Sequence, residues 1–164
     1  MAERGGTASM NEIATAAGVS RATLYRYFPS REALLHAMAM TSIEELVARI
    51  ADANLQGIPV EQAIARLARG FIAVGSRYTA LASGRYQRTH DHPDADALLT
   101  EPVRVLFRRG IADGSLRADL APELLTELFS GLIKAALEMT TSGQVGTEEA
   151  SAAVIAVFLE GTRT

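Results

Sequence analysis

The first 35 residues contain three serines, each of which stands where a helix would begin. Ser9 precedes Glu12 by three residues, which is the spacing of a capping box, in which each side chain accepts a hydrogen bond from the other residue's backbone N–H. Ser20 and Ser30 stand at the N-cap position, directly before the predicted helices that begin at residues 21 and 31. Gly18 can adopt the positive φ of a sharp turn between the first two helices. The pattern predicts helices over residues 10–17 and 21–28, and a third that begins at residue 31.

The two short helices have the spacing of a helix-turn-helix. Ala14 lies four residues before Gly18, and its small side chain lets the helices approach closely. Ile13, Val19 and Leu24 are expected to fill the small core beneath them. A second helix held in this way can lie in the major groove of DNA. An ordinary corner of two helices with a polar surface fits the same spacing, so the geometry alone leaves both interpretations open.

The second helix carries hydrogen-bond donors suited to DNA. Arginine pairs with O6 and N7 of guanine, while hydroxyl groups, and Arg31 just beyond, suit phosphate oxygens. Residues 1–35 have a net charge of +1, whereas the whole chain of 164 residues has −3. The negative net charge of the whole chain argues against a protein surface that is basic throughout and binds nucleic acid non-specifically. It is compatible with a local basic surface. The donors on this helix are Arg21, Thr23, Tyr25, Arg26 and Tyr27.

The remainder of the chain has helical patterning throughout, and no segment alternates apolar and polar residues as a strand would. The sequence therefore predicts an all-α fold. Pro102 either kinks a helix that begins at Pro93 or starts a new one, and the pattern does not decide between them. Thr147 is expected to cap the last helix. The predicted helices cover residues 31–53, 60–78, about 80–89, 93–112, 122–140 and 147–160.

The last two helices have more apolar surface than one chain of this size can cover. Residues 152–159 are apolar at all eight positions, and a helix that is apolar all round must be covered all round. A second copy of the chain is an economical cover, because two helices from each of two chains form a four-helix interface. The sequence predicts a homodimer through residues 122–140 and 147–160. A helix enclosed within its own fold is the alternative.

The sequence lacks the motifs that are typical of membrane proteins, secreted proteins and several classes of enzyme. The chain has no cysteine, no run of about 20 apolar residues that could span a membrane and no apolar N-terminal leader. It has no phosphate-binding loop or nucleophile motif, so we expect no enzyme, no catalytic residues and no cofactor, and we expect the chain to lie in the cytoplasm. Metal-ligand residue types crowd into seven positions, without a helical pairing that would predict a metal site; they are His90, Asp91, His92, Asp94 and Asp96.

Residues 9–35 resemble the DNA-binding signature of TetR-type transcriptional regulators. The matching run is SMNEIATAAGVSRATLYRYFPSREALL, and residues 108–117, RRGIADGSLR, are similar to the turn that precedes the dimer helices of that family. The resemblance implies a helix-turn-helix DNA-binding domain over residues 1–34. It implies a ligand-binding and dimerisation domain over residues 35–164.

The resemblance also implies a function and the residues that carry it. We expect a homodimer, most often a repressor, that binds a double-stranded operator of two-fold symmetry and is released by a small-molecule effector. Arg21, Ala22 and Arg26 would face base edges. The expected phosphate contacts are Ser9, Thr23, Tyr25, Tyr27 and Arg31.

The family has a full helix before the segment that matches residues 2–5, and the given sequence begins at the end of that helix. An alternative function follows, in which the chain is a small-molecule-binding dimer that has lost contact with DNA. A metal-dependent all-α enzyme is a third and weaker alternative. The effector is expected in the helical bundle, where apolar pockets with a few polar groups form. The candidate contacts are Phe71, Tyr78, Arg85, Tyr86, His90, Arg104, Phe107 and Phe129.

Overall fold

The computed structural model describes residues 8–82 and 93–163, and within these residues the regular structure is helical. This confirms the predicted all-α fold. The side-chain caps at Ser9, Ser20 and Ser30 are all present. The helices are α1 (Met10–Ala16), α2 (Arg21–Tyr27), α3 (Arg31–Asp52), α4 (Val60–Ala82), α5 (Pro93–Ala112), α6 (Pro122–Thr141) and α7 (Thr147–Thr162).

A small core joins α1, α2 and the start of α3. Leu24 is buried in it, as the sequence predicted, and Ala14 of α1 is buried as well. Val19 was expected there as well, and this prediction is wrong, because its side chain is 39% exposed. Its backbone N–H donates to the Ala14 carbonyl (3.0 Å), so the residue belongs to the turn rather than to a helix face. The core is completed by buried Met10 and Leu34 and by the partly buried Ile13, Phe28 and Met38.

The larger core is built around α4, which contacts α3, α5, α6 and α7. Ala63, Ile64 and Ala68 on α4 have no exposed surface. Three phenylalanines from three other helices pack together beside α4, with ring centroids 5.1–5.8 Å apart, and they are Phe107, Phe129 and Phe158. This cluster holds α5, α6 and α7 to one another.

Three details of the predicted helices are settled by the structure. Pro102 lies inside the single helix α5 and does not start a new one. Residues 80–82 continue α4 rather than beginning a separate helix, and the rest of that predicted helix, to residue 89, lies outside the described residues. The prediction that Thr147 caps α7 is wrong, because Gly146 is the N-cap and Thr147 is the first helical residue.

One face of α6 and α7 exposes large apolar side chains. Leu124, Leu128 and Met139 on α6 and Val157 on α7 are each more than 40% exposed. We call this surface the α6–α7 face. Exposed alanines extend it on both helices, at Ala135, Ala152, Ala153 and Ala156. Among the described residues, no helix is both long enough and apolar enough to cross a lipid bilayer.

Candidate nucleic-acid interface

Serine side chains fix the start of both short helices. The Ser9 hydroxyl accepts from the Glu12 backbone N–H (3.3 Å), and the Glu12 carboxylate accepts from the Ser9 backbone N–H (2.7 Å). The Ser20 hydroxyl accepts from the Thr23 backbone N–H at 3.1 Å. Each cap satisfies backbone donors that the first helical turn leaves without a partner. These short elements therefore have defined first residues.

The turn between α1 and α2 depends on Gly18. Its φ is +68°, in the left-handed region that L-residues rarely adopt. The Gly18 backbone N–H donates to the Thr15 carbonyl at 3.1 Å, which closes the turn. Ala14, buried on α1, leaves room for α2 to pack closely. The geometry is the helix-turn-helix that the sequence predicted.

The two arginines of α2 lie over tyrosine rings of the same helix. The guanidinium carbon of Arg21 is 5.3 Å from the centroid of the Tyr25 ring. The guanidinium carbon of Arg26 is 5.1 Å from the centroid of the Tyr27 ring. All four side chains are exposed, and Tyr27 is 67% exposed. The stacking was not among the sequence predictions for these residues, although arginine and tyrosine four residues apart on a helix are neighbours, which signals the first pair.

The other predicted DNA contacts lie on the same three segments. Ala22 is exposed on α2, and Thr23 is half-buried with its hydroxyl 2.8 Å from that of Ser20. Arg31, the first residue of α3, is half-buried, and its Nε donates to the Ala8 carbonyl at 3.5 Å. Ser9 is exposed at the start of α1. The predicted residues therefore lie on elements that share the small core.

The carboxylates of Glu12 and Glu32 accept hydrogen bonds at the N-termini of α1 and α3. The Ser9 backbone N–H holds the pKa of Glu12 below its ordinary value. The pKa of Glu32 is lowered in the same direction, first by its own backbone N–H and then by the Ser30 hydroxyl. Among the side chains that the structure describes, no carboxylate forms an ion pair with Arg21 or Arg26. The positive charge on α2 is therefore not neutralised by a described carboxylate.

The predicted effector contacts do not converge on one cavity in the described part of the chain. Phe107 and Phe129 are buried in the phenylalanine cluster. Phe71 lines a cleft between α3 and α4 of about 10 Å³, no larger than one water molecule needs. The Tyr78 hydroxyl donates to the Glu45 carboxylate at 3.4 Å. Arg104 pairs with Glu101 on its own helix, and Arg85, Tyr86 and His90 lie outside the described residues.

The side chains of the metal-ligand residue types at positions 90–96 lie outside the described part of the structure. His90, Asp91 and His92 lie outside the described residues. Among the residues that are described, no group of three or more histidine, cysteine, aspartate or glutamate side chains is placed to hold a metal ion.

Comparisons with known proteins agree with this geometry. Residues 1–38 match the family model described as bacterial regulatory proteins, tetR family. An uncharacterized HTH-type transcriptional regulator of Mycobacterium tuberculosis is 57% identical over 47 residues, which are 26% of this chain and 23% of that protein. The chain therefore matches less than a quarter of the length of the first curated relatives.

Likeness to LfrR and to a further solved structure extends beyond the first 38 residues. The transcriptional repressor LfrR of Mycolicibacterium smegmatis is 38% identical over 69 residues, 42% of this chain and 36% of that protein. The structure of LfrR in complex with proflavine covers 96% of this chain and 88% of its own, with 25% identity and a TM-score of 0.71. PfmR of Thermus thermophilus covers 93% and 88%, with 22% identity and a TM-score of 0.73. The chain shares the fold of these proteins, a helix-turn-helix followed by a helical bundle, and its first 38 residues match the tetR family model.

Proposed function

We propose that this chain is a ligand-responsive transcriptional repressor that acts in the cytoplasm. It binds a DNA operator of two-fold symmetry as a homodimer, and a small molecule releases it. Residues 1–34 form the DNA-binding domain, and residues 35–164 form the ligand-binding and dimerisation domain. The observation that carries the proposal is the exposed surface of α2, whose two arginines have no carboxylate partner among the described residues.

The chemistry of α2 supports recognition of both bases and backbone. A guanidinium offers two parallel donors that match O6 and N7 of guanine, and an exposed alanine offers a methyl contact to thymine. Hydroxyl groups and Arg31 supply phosphate contacts, which set the position of the protein on the duplex. In this proposal, Arg21, Ala22 and Arg26 face base edges, and Ser9, Thr23, Tyr25, Tyr27 and Arg31 contact phosphates.

The α6–α7 face supports a homodimer. Leu124, Leu128, Met139 and Val157 form an exposed apolar surface, and such a surface marks an interaction site in a protein of this size. In a two-fold dimer the same face of each copy meets the other, which buries both. The dimer also presents two copies of α2, so it matches an operator with two half-sites.

A small-molecule effector is supported by the LfrR structure, which holds proflavine. In this chain, Phe71 and Tyr78 on α4 are the predicted contacts whose side chains are half-buried rather than enclosed. Arg104 is also half-buried, on α5. Phe107 and Phe129 are buried in the core. They would therefore support the residues that contact the effector instead of making the first contact themselves.

Selection from a pool of random DNA duplexes tests the DNA-binding proposal. The full chain is expected to enrich a sequence with two-fold symmetry. Arg26→Ala should then weaken binding to the enriched duplex by about 1–3 kcal/mol. Arg69→Ala, which removes the same charge from an exposed position on α4, should change the affinity little. A chain that enriches no sequence would support the alternative, a dimer that binds small molecules without contacting DNA.

A further inference from the structure

Both base-reading arginines proposed for α2 rest on an aromatic ring before any DNA is present. Arg21 and Tyr25 are four residues apart on one helix face, with 5.3 Å between the guanidinium carbon and the ring centroid. Arg26 and Tyr27 are consecutive at the end of α2, with a corresponding distance of 5.1 Å. Consecutive residues on a helix normally diverge. Tyr27 is the last residue of α2, and Phe28 after it is already extended, so the second pair forms where the helical constraint ends.

A ring holds an arginine without consuming its hydrogen-bond donors. The cation lies over the ring, and its attraction to the ring does not need the N–H groups. A carboxylate partner would instead occupy two donors and cancel the charge. Within the described residues neither arginine has such a partner. Each guanidinium is therefore positioned while its donors remain available for a base.

Positioning in the free protein reduces the entropy lost when an arginine binds. An unsupported arginine on an exposed helix samples many rotamers, and a base-specific contact selects only a few of them. A ring that already favours one arrangement lowers that cost for the correct base pair. Non-specific contacts with phosphate gain less, because any rotamer that brings the charge near the backbone serves.

We infer that Tyr25 and Tyr27 are positioning residues for sequence specificity, each acting through the arginine on its ring. This inference rests on the proposed function. It divides each tyrosine into two roles, in which the hydroxyl contacts phosphate and contributes affinity for any duplex, while the ring orients Arg21 or Arg26 and contributes discrimination between duplexes. The two roles can be separated by substitution, because phenylalanine keeps the ring but lacks the hydroxyl, whereas leucine lacks both the ring and the hydroxyl.

The experiment uses the duplex that the full chain enriches from the random pool and a scrambled duplex of the same length and composition. The specificity ratio is the affinity for the first divided by the affinity for the second. Tyr25→Phe is expected to lower both affinities and leave the ratio unchanged. Tyr25→Leu is expected to lower the ratio by about two- to fivefold, which is the range of an exposed cation–ring contact. Tyr27→Phe and Tyr27→Leu repeat the comparison for Arg26.

A double-mutant cycle shows whether the ring acts through the arginine. In the Arg21→Ala background, Tyr25→Leu should not reduce the ratio further, because the group that the ring positions is gone. The inference is overturned if Tyr25→Leu keeps the ratio of the wild type, if Tyr25→Phe lowers it as much as leucine does, or if leucine lowers it equally in both backgrounds. A loss of folded protein lowers both affinities together, so it does not imitate a change in the ratio.

The result separates this inference from the proposed function. If the wild-type chain enriches no sequence, the proposed DNA-binding function and the positioning role of the tyrosines are both refuted. If it enriches a sequence and the cycle is additive, DNA binding stands and the role of the rings is refuted. A signal in the free protein adds an independent check, since the Arg21 side-chain proton resonances should show a ring-current shift that is lost in Tyr25→Leu and kept in Tyr25→Phe.

Discussion

Glu45 and Arg77 form an ion pair that joins α3 to α4, with Nη1 of the arginine 3.0 Å from Oε2 of the carboxylate. The same carboxylate accepts from Arg49 at 3.0 Å and from the Tyr78 hydroxyl at 3.4 Å. The first half of α3 contributes Leu34 to the small core under the helix-turn-helix. The Glu45 carboxylate therefore links α3, which packs against the helix-turn-helix, to α4 at the centre of the bundle.

Replacing Glu45 with glutamine should make the protein less sensitive to acid. The hydrogen bond from Arg49, and then the charge of Arg77, hold the pKa of Glu45 below its ordinary 4.5. A carboxylate with a lowered pKa in the folded state stabilises the fold fully above its ordinary pKa, and this contribution is lost as the pH falls through the lower value. The wild-type Tm should therefore fall more steeply below pH 4.5 than the Tm of Glu45→Gln.

The control for this prediction is Glu44→Gln, which makes the same change at the exposed neighbouring position. Its thermal unfolding should follow that of the wild type more closely at each pH. The role assigned to the ion pair is wrong if the Glu45→Gln and wild-type curves of Tm against pH run parallel through the acid range.

Gly110 marks a close approach inside the larger core, and alanine there should destabilise the protein. A Cβ at this position would lie 2.6 Å from Cδ1 and 2.8 Å from Cγ of Leu116, and 2.9 Å from Cγ1 of Val60. Both neighbours are buried, so neither can move freely. Gly110→Ala should therefore cost about 1–3 kcal/mol of unfolding free energy, measured by urea denaturation.

Gly70 supplies the matched control in the middle of α4. A Cβ there would meet one atom within 4 Å, Cδ of Arg49 at 4.0 Å, which is ordinary contact. Gly70→Ala should stabilise the protein by about 0.5–1 kcal/mol, because alanine loses less backbone entropy in a helix. Equal effects of the two substitutions would contradict the packing argument.

The starts of the helices were predictable because their signals are local. The side chains of Ser9, Ser20 and Ser30 each accept from a backbone N–H three positions along the chain, and residues that make such a contact are neighbours in sequence. The cap of α7 was misplaced by one residue, because Thr147 has the right composition for a cap but the backbone turns into the helix at Gly146. Composition alone does not distinguish two adjacent candidates.

The contacts between helices were not predictable in the same way. The helical patterning predicted the helices themselves, yet it did not indicate that Phe107 and Phe129 would meet Phe158, since that contact depends on how three helices cross. The bond between Glu45 and Arg77 spans 32 residues and had no local signal. By contrast, Arg21 and Tyr25 lie four residues apart on one helix, so their stacking was within reach of the sequence.

The capping box of α1 should give a local response to pH. The Glu12 carboxylate accepts from the Ser9 backbone N–H, which holds its pKa below the ordinary 4.5. This contribution is complete above pH 4.5 and disappears as the pH falls through the lowered pKa. Glu12→Gln keeps the box, since glutamine serves at the same position, so the protection factor of the Ser9 amide should no longer fall in acid as it does in the wild type.

Ser9→Ala tests the other half of the box. It removes the acceptor for the Glu12 backbone N–H and should cost about 1 kcal/mol, seen as faster amide exchange at Glu12 at every pH. A Glu12→Gln variant whose Ser9 protection factor still falls in acid as much as that of the wild type would show that another group governs the start of α1.

A glutamate on the α6–α7 face should separate the proposed dimer. Leu128 is 48% exposed at this face, and burying a charge there in both copies without a partner is strongly unfavourable. Leu128→Glu should therefore yield monomers by analytical ultracentrifugation. Leu98→Glu introduces the same change at a leucine that is 54% exposed on α5, away from the face, and should leave the dimer intact.

The two variants also connect assembly to DNA binding. A monomer presents one copy of α2, so Leu128→Glu should bind a duplex with two half-sites much more weakly than Leu98→Glu does. Its affinity for a single half-site should remain close to that of one wild-type subunit, because the helix-turn-helix is unchanged. A Leu128→Glu chain that sediments as a dimer would place the interface elsewhere, and equal dissociation of both variants would mean that the added charge, rather than the face, is responsible.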